Sequence, residues 1–313
     1  PDRSAADERA AVVRGAWLAA CAYLLWGVLP IYWRLLEHVP AQEILAHRMV
    51  WSVAFVLGLL AVQRRWEWIG VVLRRPAILL AFTASSILLG LNWFLYIWAV
   101  NAGFIVETSL GYFINPLVNV GLGVLFLRER LRPGQSIALA LAAFAVVFLA
   151  VQYGEVPWIA LSLAVTFGFY GLIRKTAPLE SLDGLALETL IAFVPALLYL
   201  LHLGAADRLA FGRIDLPTTG LLVLSGAVTA IPLLLFGSAA RRIPLTLLGV
   251  MQYLAPTLQF LIGIFVYGET LSRTRLLGFS FVWLALAIYT AESLWHRRQM
   301  AEQRHAIAGV PPS

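Results

Sequence analysis

Charge is scarce in this chain, and cysteine and lysine are almost absent. Only 13% of the 313 residues are charged and 61% are hydrophobic, against about 25% and about 45–50% in a soluble domain. A water-soluble core cannot absorb that excess, so the composition reads as an all-α polytopic membrane protein. Cys21 is the only cysteine, which excludes an intrachain disulfide or a cysteine metal cluster. Lys175 is the only lysine, and in GFYGLIRKT it follows Arg174 where a phosphate-binding loop requires glycine. No ATP-driven engine is therefore encoded here. H-E-x-x-H and G-x-S-x-G are both missing. No catalytic residue, cofactor or metal ligand set is expected, and the rival reading as an intramembrane lipid-modifying or hydrolytic enzyme lacks a motif. The net charge of +6 rests on arginines in short loops and tails. That placement orients membrane proteins and is not a nucleic-acid footprint.

Long apolar runs are abundant. A helix needs roughly 20 mainly apolar residues to cross a hydrocarbon core. Splitting the runs at charge, proline and glycine predicts ten spans, at 15–35, 43–62, 76–98, 104–127, 134–152, 156–173, 184–202, 218–239, 246–267 and 273–293. Residues 1–14 and 294–313 are expected as tails. QRRWEWIGVVLRR (63–75) is basic and Trp-rich, which suits the membrane interface. With a cytosolic N-terminus, seventeen Arg and Lys side chains fall on the inside and five on the outside, so both termini should be cytosolic. Trp17, Trp33, Trp66, Trp68, Trp158 and Trp295 fall near span ends, as interfacial belts do.

The chain also repeats. Shifted by 140 residues, GYFINPLVNVGLGVLFLRERL (111–131) lies over GVMQYLAPTLQFLIGIFVYGETL (249–271), matching Pro116 with Pro256, Glu129 with Glu269 and Leu131 with Leu271. Tyr112 falls on Gln252, Asn119 on Gln259 and Tyr96 on Phe236; Trp26 meets Phe167 at a shift of 141. Five spans (15–152) repeat as five (156–293). Five is odd, so the second copy enters the bilayer from the opposite face, the inverted repeat of many secondary transporters.

AYLLWGVLPIYWRLL (22–36), EILAHRMVWS (43–52), LNWFLYIWAVNAG (91–103), ETSLGYFINPLVNVGLGVLFLRERL (107–131) and QYLAPTLQFLIGIFVYGE (252–269) resemble RarD-type members of the EamA branch of the drug/metabolite transporter superfamily. The resemblance covers about residues 15–293. It implies ten helices in two inverted halves and the movement of small metabolites, amino acids among them, with export as the direction. It implies no particular substrate for this subgroup.

Within the apolar runs lies a polar seam. Thr108, Tyr112, Asn115 and Asn119 share one helical face, as do Gln252, Pro256 and Gln259; Ser85, Asn92 and Tyr96 make a third stripe. Two readings are open: amides bonding across helices as glue, or a stripe facing a wet cavity and touching substrate. Pro30, Pro116 and Pro256 are candidate hinges. Each deprives the carbonyl four residues earlier of its helical partner, at Trp26, Tyr112 and Gln252. Such carbonyls persist at membrane depth only where protein or water satisfies them.

Charges inside the spans are the other candidates. His47 and Arg48 follow Glu43 in the second span, and Glu188 lies in the seventh. Arg48 is expected either to pair with Glu188 as a bridge between halves or to receive a substrate carboxylate; His47 and Glu188 are alternatively a proton relay. Glu43 and Glu107 are expected at the outer interface. Glu129 and Glu269 are expected to tie helix ends to neighbours. Trp26 and Tyr170 are the aromatic candidates. The expected protein is an inner-membrane carrier of a small molecule. Its fifth and tenth spans, short of mid-helix polar residues, are expected at the periphery and available for a homodimer.

Overall fold

Lipid supplies no hydrogen-bond partners, so a spanning backbone must satisfy itself. The Leu-, Ala- and Val-rich runs do this as helices throughout. The computed structural model describes residues 2–102, 105–153, 157–268 and 273–308. Their helices are α1 (Asp2–Arg34), α2 (Ala41–Gln63), α3 (Glu67–Arg74), α4 (Pro76–Asn101), α5 (Ile105–Leu127), α6 (Pro133–Tyr153), α7 (Trp158–Thr176), α8 (Ser181–Ala205), α9 (Leu216–Ala240), α10 (Leu245–Met251), α11 (Leu254–Phe265) and α12 (Arg273–Ala308). Among the described residues, Ala10–Arg34, Ala41–Gln63, Pro76–Ala99, Ser181–Ala205, Leu216–Ala240 and Leu245–Phe265 are long and apolar enough to cross a membrane. Helix also occupies the other four expected spans. Helix α1 begins at Asp2 and α12 runs on to Ala308, so helix extends into both expected tails. The interfacial stretch forms α3, which buries Trp68 and Val72 and exposes Ile69, Val71 and Leu73.

Local signals set the boundaries. Pro76 and Pro133 occupy first helical positions, where a missing N–H costs nothing. Arg64, at φ 52°, closes α2 in the left-handed conformation. Asp215 caps α9, accepting from the Thr218 N–H at 2.6 Å. The Thr218 hydroxyl, and with it that N–H, holds the Asp215 carboxyl below the usual range.

The packing of the halves is symmetric under exchange. If α1, α2, α4, α5 and α6 are set against α7, α8, α9, α10–α11 and α12, each contact between halves has its counterpart. Helix α1 lies on α9 as α7 lies on α4, α11 on α1 as α5 on α7, and α2 on α9 as α8 on α4. The pairs α2–α8, α5–α10 and α6–α12 are their own counterparts. The main core lies where these helices converge and includes Tyr23, Phe82, Tyr170, Phe236 and Leu248. Phe94, Leu125, Leu198 and Phe265 are exposed on the outside, a surface that lipid accommodates and water does not.

The mirrored prolines behave differently. Pro116 lies inside a continuous α5, whereas the helix carrying Pro256 breaks at Gln252 and Tyr253, between α10 and α11. The break falls where the ring of Pro256 displaces the carbonyl four residues back. The Gln252 carbonyl accepts instead from the Ala255 N–H at 3.2 Å. At the crossing, Gly249 admits the backbone of α5; a Cβ there would lie 2.7 Å from the Pro116 oxygen.

Candidate functional site

Arg48 sits one helical turn beyond Ile44 on α2, with its guanidinium between two indoles. Its central carbon lies 4.7 Å from the Trp33 ring centroid and 4.4 Å from that of Trp93. Nε donates to Thr229 Oγ1 of α9 at 2.9 Å. The phenols of Tyr32, Tyr96 and Tyr112 are close enough to act electrostatically on the cation. Tyr96 and Tyr112 meet edge-on, centroids 6.1 Å apart, and share a hydrogen bond. Among the described residues no carboxylate lies within ion-pair distance of Arg48. Its two terminal nitrogens also hold no bond there. Thr229 and Trp93 line, in addition, a small pocket that extends to Ser86 and Glu188.

The expected bridge between Arg48 and Glu188 is therefore absent. Glu188 pairs with Arg174 at 3.5 Å, both side chains 2% exposed. Its other oxygen accepts from the Ser85 hydroxyl. Arg174 also donates to the Ser181 carbonyl at 2.8 Å. From its place near the end of α7, Arg174 reads as a loop cation. Its long side chain reaches inward instead of out to the interface.

Glu43 is buried and acts as a clasp on the loop before α9. One oxygen accepts from the N–H groups of Ala210 and Phe211 at 2.8 and 3.2 Å. His47 lies 3.7 Å from that oxygen, stacks on Phe211 and accepts at Nδ1 from the Trp51 indole at 3.2 Å. The Glu107 side chain lies outside the described residues.

The polar seam divides. Asn119 donates to Gln252 at 2.8 Å, a buried bond between α5 and the break after α10. Gln259 donates to the Trp26 carbonyl at 3.2 Å, which supplies the partner that Pro30 removes. Asn92 bonds the Leu163 carbonyl and the Thr166 hydroxyl of α7 at 2.8 and 2.9 Å. Only Asn115 of the seam amides keeps a buried carbonyl oxygen with no partner while making no bond of its own among the described residues. Tyr112 and Tyr96 stand beside Arg48.

Trp26 and its repeat counterpart Phe167 meet directly, centroids 5.9 Å apart, and Phe236 lies 5.6 Å from Trp26. Tyr170 stacks on Phe236 and is fully buried. These rings form a closed aromatic contact between the halves. Glu129 accepts from the Leu245 and Thr246 N–H groups at 2.7 and 2.9 Å. It thereby ties the end of α5 to the start of α10, where its charge suits the helix dipole. Its counterpart Glu269, like Leu271, lies outside the described residues. Outside the spans, Arg65 is pushed above its usual range by bonds to Glu180 and Asp183, each at 2.8 Å.

Sequence reasoning missed Trp33, Trp93, Thr229 and Arg174. Trp33 passed for an interfacial belt residue, like Trp17, Trp66, Trp158 and Trp295, which are exposed. The available signal was Arg48 itself. A lone intramembrane cation implies neighbours, and tryptophan is the best apolar neighbour for one.

Comparison with known proteins agrees with this architecture. The EamA-like transporter family matches residues 13–151. Protein RarD of Streptomyces exfoliatus is 48% identical over 288 residues, which cover 92% of this chain and 91% of that one. The uncharacterized transporter YojE of Bacillus subtilis is 45% identical over 93% of this chain and 98% of its own. A crystal structure of a protein with 22% identity superimposes with a TM-score of 0.66 over 88% of this chain and 97% of that one, which establishes a shared fold. The chain belongs to the EamA-like transporter family, as a RarD-type member, and is a multi-pass membrane transporter.

Proposed function

We propose that the protein is a secondary transporter that carries small amphipathic metabolites, amino acids or related compounds and drugs of similar character, across the bacterial inner membrane by alternating access. The direction proposed is export, and both termini are cytosolic. The two halves run through the bilayer in opposite senses and rock about the cavity between them.

One observation carries this reading. Helix pairing is symmetric between the halves, yet the mirrored helices α5 and α10–α11 differ, one continuous and one broken at its proline. A carrier caught facing one side needs this combination, because alternating access exchanges the conformations of two equivalent halves. The side chains at the interface fit the same account. Asn119–Gln252 and Gln259–Trp26 join the halves through bonds worth about 1 kcal/mol each, weak enough to be remade in a cycle. The names of the relatives support a transporter over an enzyme.

The test is a ligand-induced thermal-shift screen followed by flux into proteoliposomes, with and without a pH gradient. Saturable uptake of at least one screened compound is expected. Asn115→Ala and Gln252→Ala should slow it more than they lower thermal stability. Absence of flux for every stabilising compound, or wild-type rates in both variants, would overturn the reading.

A further inference from the structure

We infer that Arg48, where α2 meets α9, is an anion-binding point and that the ligand is a carboxylate with an aromatic or other apolar body. This rests on the transporter reading above and adds the chemistry of the substrate.

A guanidinium has five donors in a planar fork. At Arg48 one of them, Nε, is tied to Thr229, and Trp33 and Trp93 hold the plane at 4.7 and 4.4 Å. The fork is thus fixed from three sides while both terminal nitrogens stay unused among the described residues. A carboxylate matches that edge with two parallel N–H···O bonds. Cation–π contact offsets only part of the cost of withdrawing a charge from water. A residual demand for an anion therefore remains, and the protein does not meet it from the described residues.

Charge accounting sets the class of ligand. The buried cation Arg174 is already paired with Glu188. Glu43 engages two backbone N–H groups through one oxygen, and its other oxygen is buried. The two indole faces beside the guanidinium, the surfaces best suited to a cation, already hold Arg48. A carboxylate needs no ammonium beside it to bind here. Tyr96 and Tyr112, half in the open beside the cation, offer phenol edges to the ligand's apolar body.

Isothermal titration on the protein in lipid nanodiscs tests this with four probes: phenylacetate, phenethylamine, phenylalanine and inorganic phosphate. Phenylacetate should bind at least as tightly as phenylalanine, and phenethylamine and phosphate should bind at least tenfold more weakly. Arg48→Gln should weaken phenylacetate at least tenfold, and Thr229→Val, which frees Nε but keeps the charge, about threefold. Equal binding of phenylacetate and phenethylamine, or no binding of phenylacetate, would overturn the inference and needs no variant to show it. So would a folded Arg48→Gln protein that retains wild-type affinity. If phenylacetate fails while proteoliposomes transport another compound, the anion site is wrong and the transporter stands. If phenylacetate binds and nothing crosses, the site stands and the transporter reading fails.

Discussion

Two arginines lie inside the bundle, and they live under opposite conditions. Arg174 is 3% exposed and neutralised, with Glu188 at 3.5 Å and the Ser181 carbonyl at 2.8 Å. Arg48 is half-buried, held by one hydroxyl and two indoles, and faces no carboxylate among the described residues. The first arrangement closes on itself, so its worth is structural: it joins α7 to α8 and, through Ser85, to α4. The second is incomplete until something negative arrives. An intramembrane charge is not one kind of signal, and whether it is already paired separates architecture from recognition.

Breaking the closed pair should have the largest effect. Glu188→Gln leaves Arg174 buried without an anion, and loss of one partner of such a pair costs about 3–5 kcal/mol. Thermal unfolding of the purified variant should show a collapse in stability. Replacing both residues, as Arg174→Leu with Glu188→Leu, should recover most of it. If the single variant is as stable as the native protein, the pair is not structural.

Arg48→Gln should do the reverse. It removes an unpaired cation, so stability should change by less than about 1 kcal/mol despite the lost contacts. Transport should fall at least tenfold in proteoliposomes prepared from the same material. A large loss of stability would place Arg48 with Arg174 and erase the contrast.

The hinges extend the comparison to the two halves. Pro256→Ala restores an N–H to the broken helix, and Pro116→Ala to a helix that is already continuous. Spin labels at positions 247 and 264 should report a straighter, less variable segment for Pro256→Ala, with transport slowed several-fold. Pro116→Ala should slow it less while this conformation predominates. Equal effects would argue that the break is not set by its proline. The smallest effect is expected for Asn119→Leu, which removes one interhelical amide bond worth about 1 kcal/mol. A double-mutant cycle with Gln252→Leu should recover a coupling of that order.

Some features were readable before the fold was known. Helix positions follow from apolar length and proline punctuation, and the carbonyl freed by Pro30 at Trp26 was foreseeable, as was its need of a partner. Its partner, Gln259, lies 233 residues away. The Arg48–Glu188 bridge was a reasonable pairing by sign and depth. It failed because Arg174, placed by its position at a helix end, has a side chain long enough to turn inward. Likewise Trp33 sits where belt tryptophans sit, and only the approach of α2 shows that its ring covers a cation.

By itself the sequence determined that this chain is a polytopic helical membrane protein, where its helices run, and that its second half echoes its first. Those properties depend on the cost of exposing backbone and charge to lipid, which acts locally and leaves a periodic record. Only the tertiary structure decided which charges are already paired, which proline breaks its helix and which indoles enclose Arg48. Those outcomes depend on how separate helices approach one another, whether near in sequence as Arg174 and Glu188 or 181 residues apart as Arg48 and Thr229, and a difference of a few ångströms separates a satisfied group from an open one.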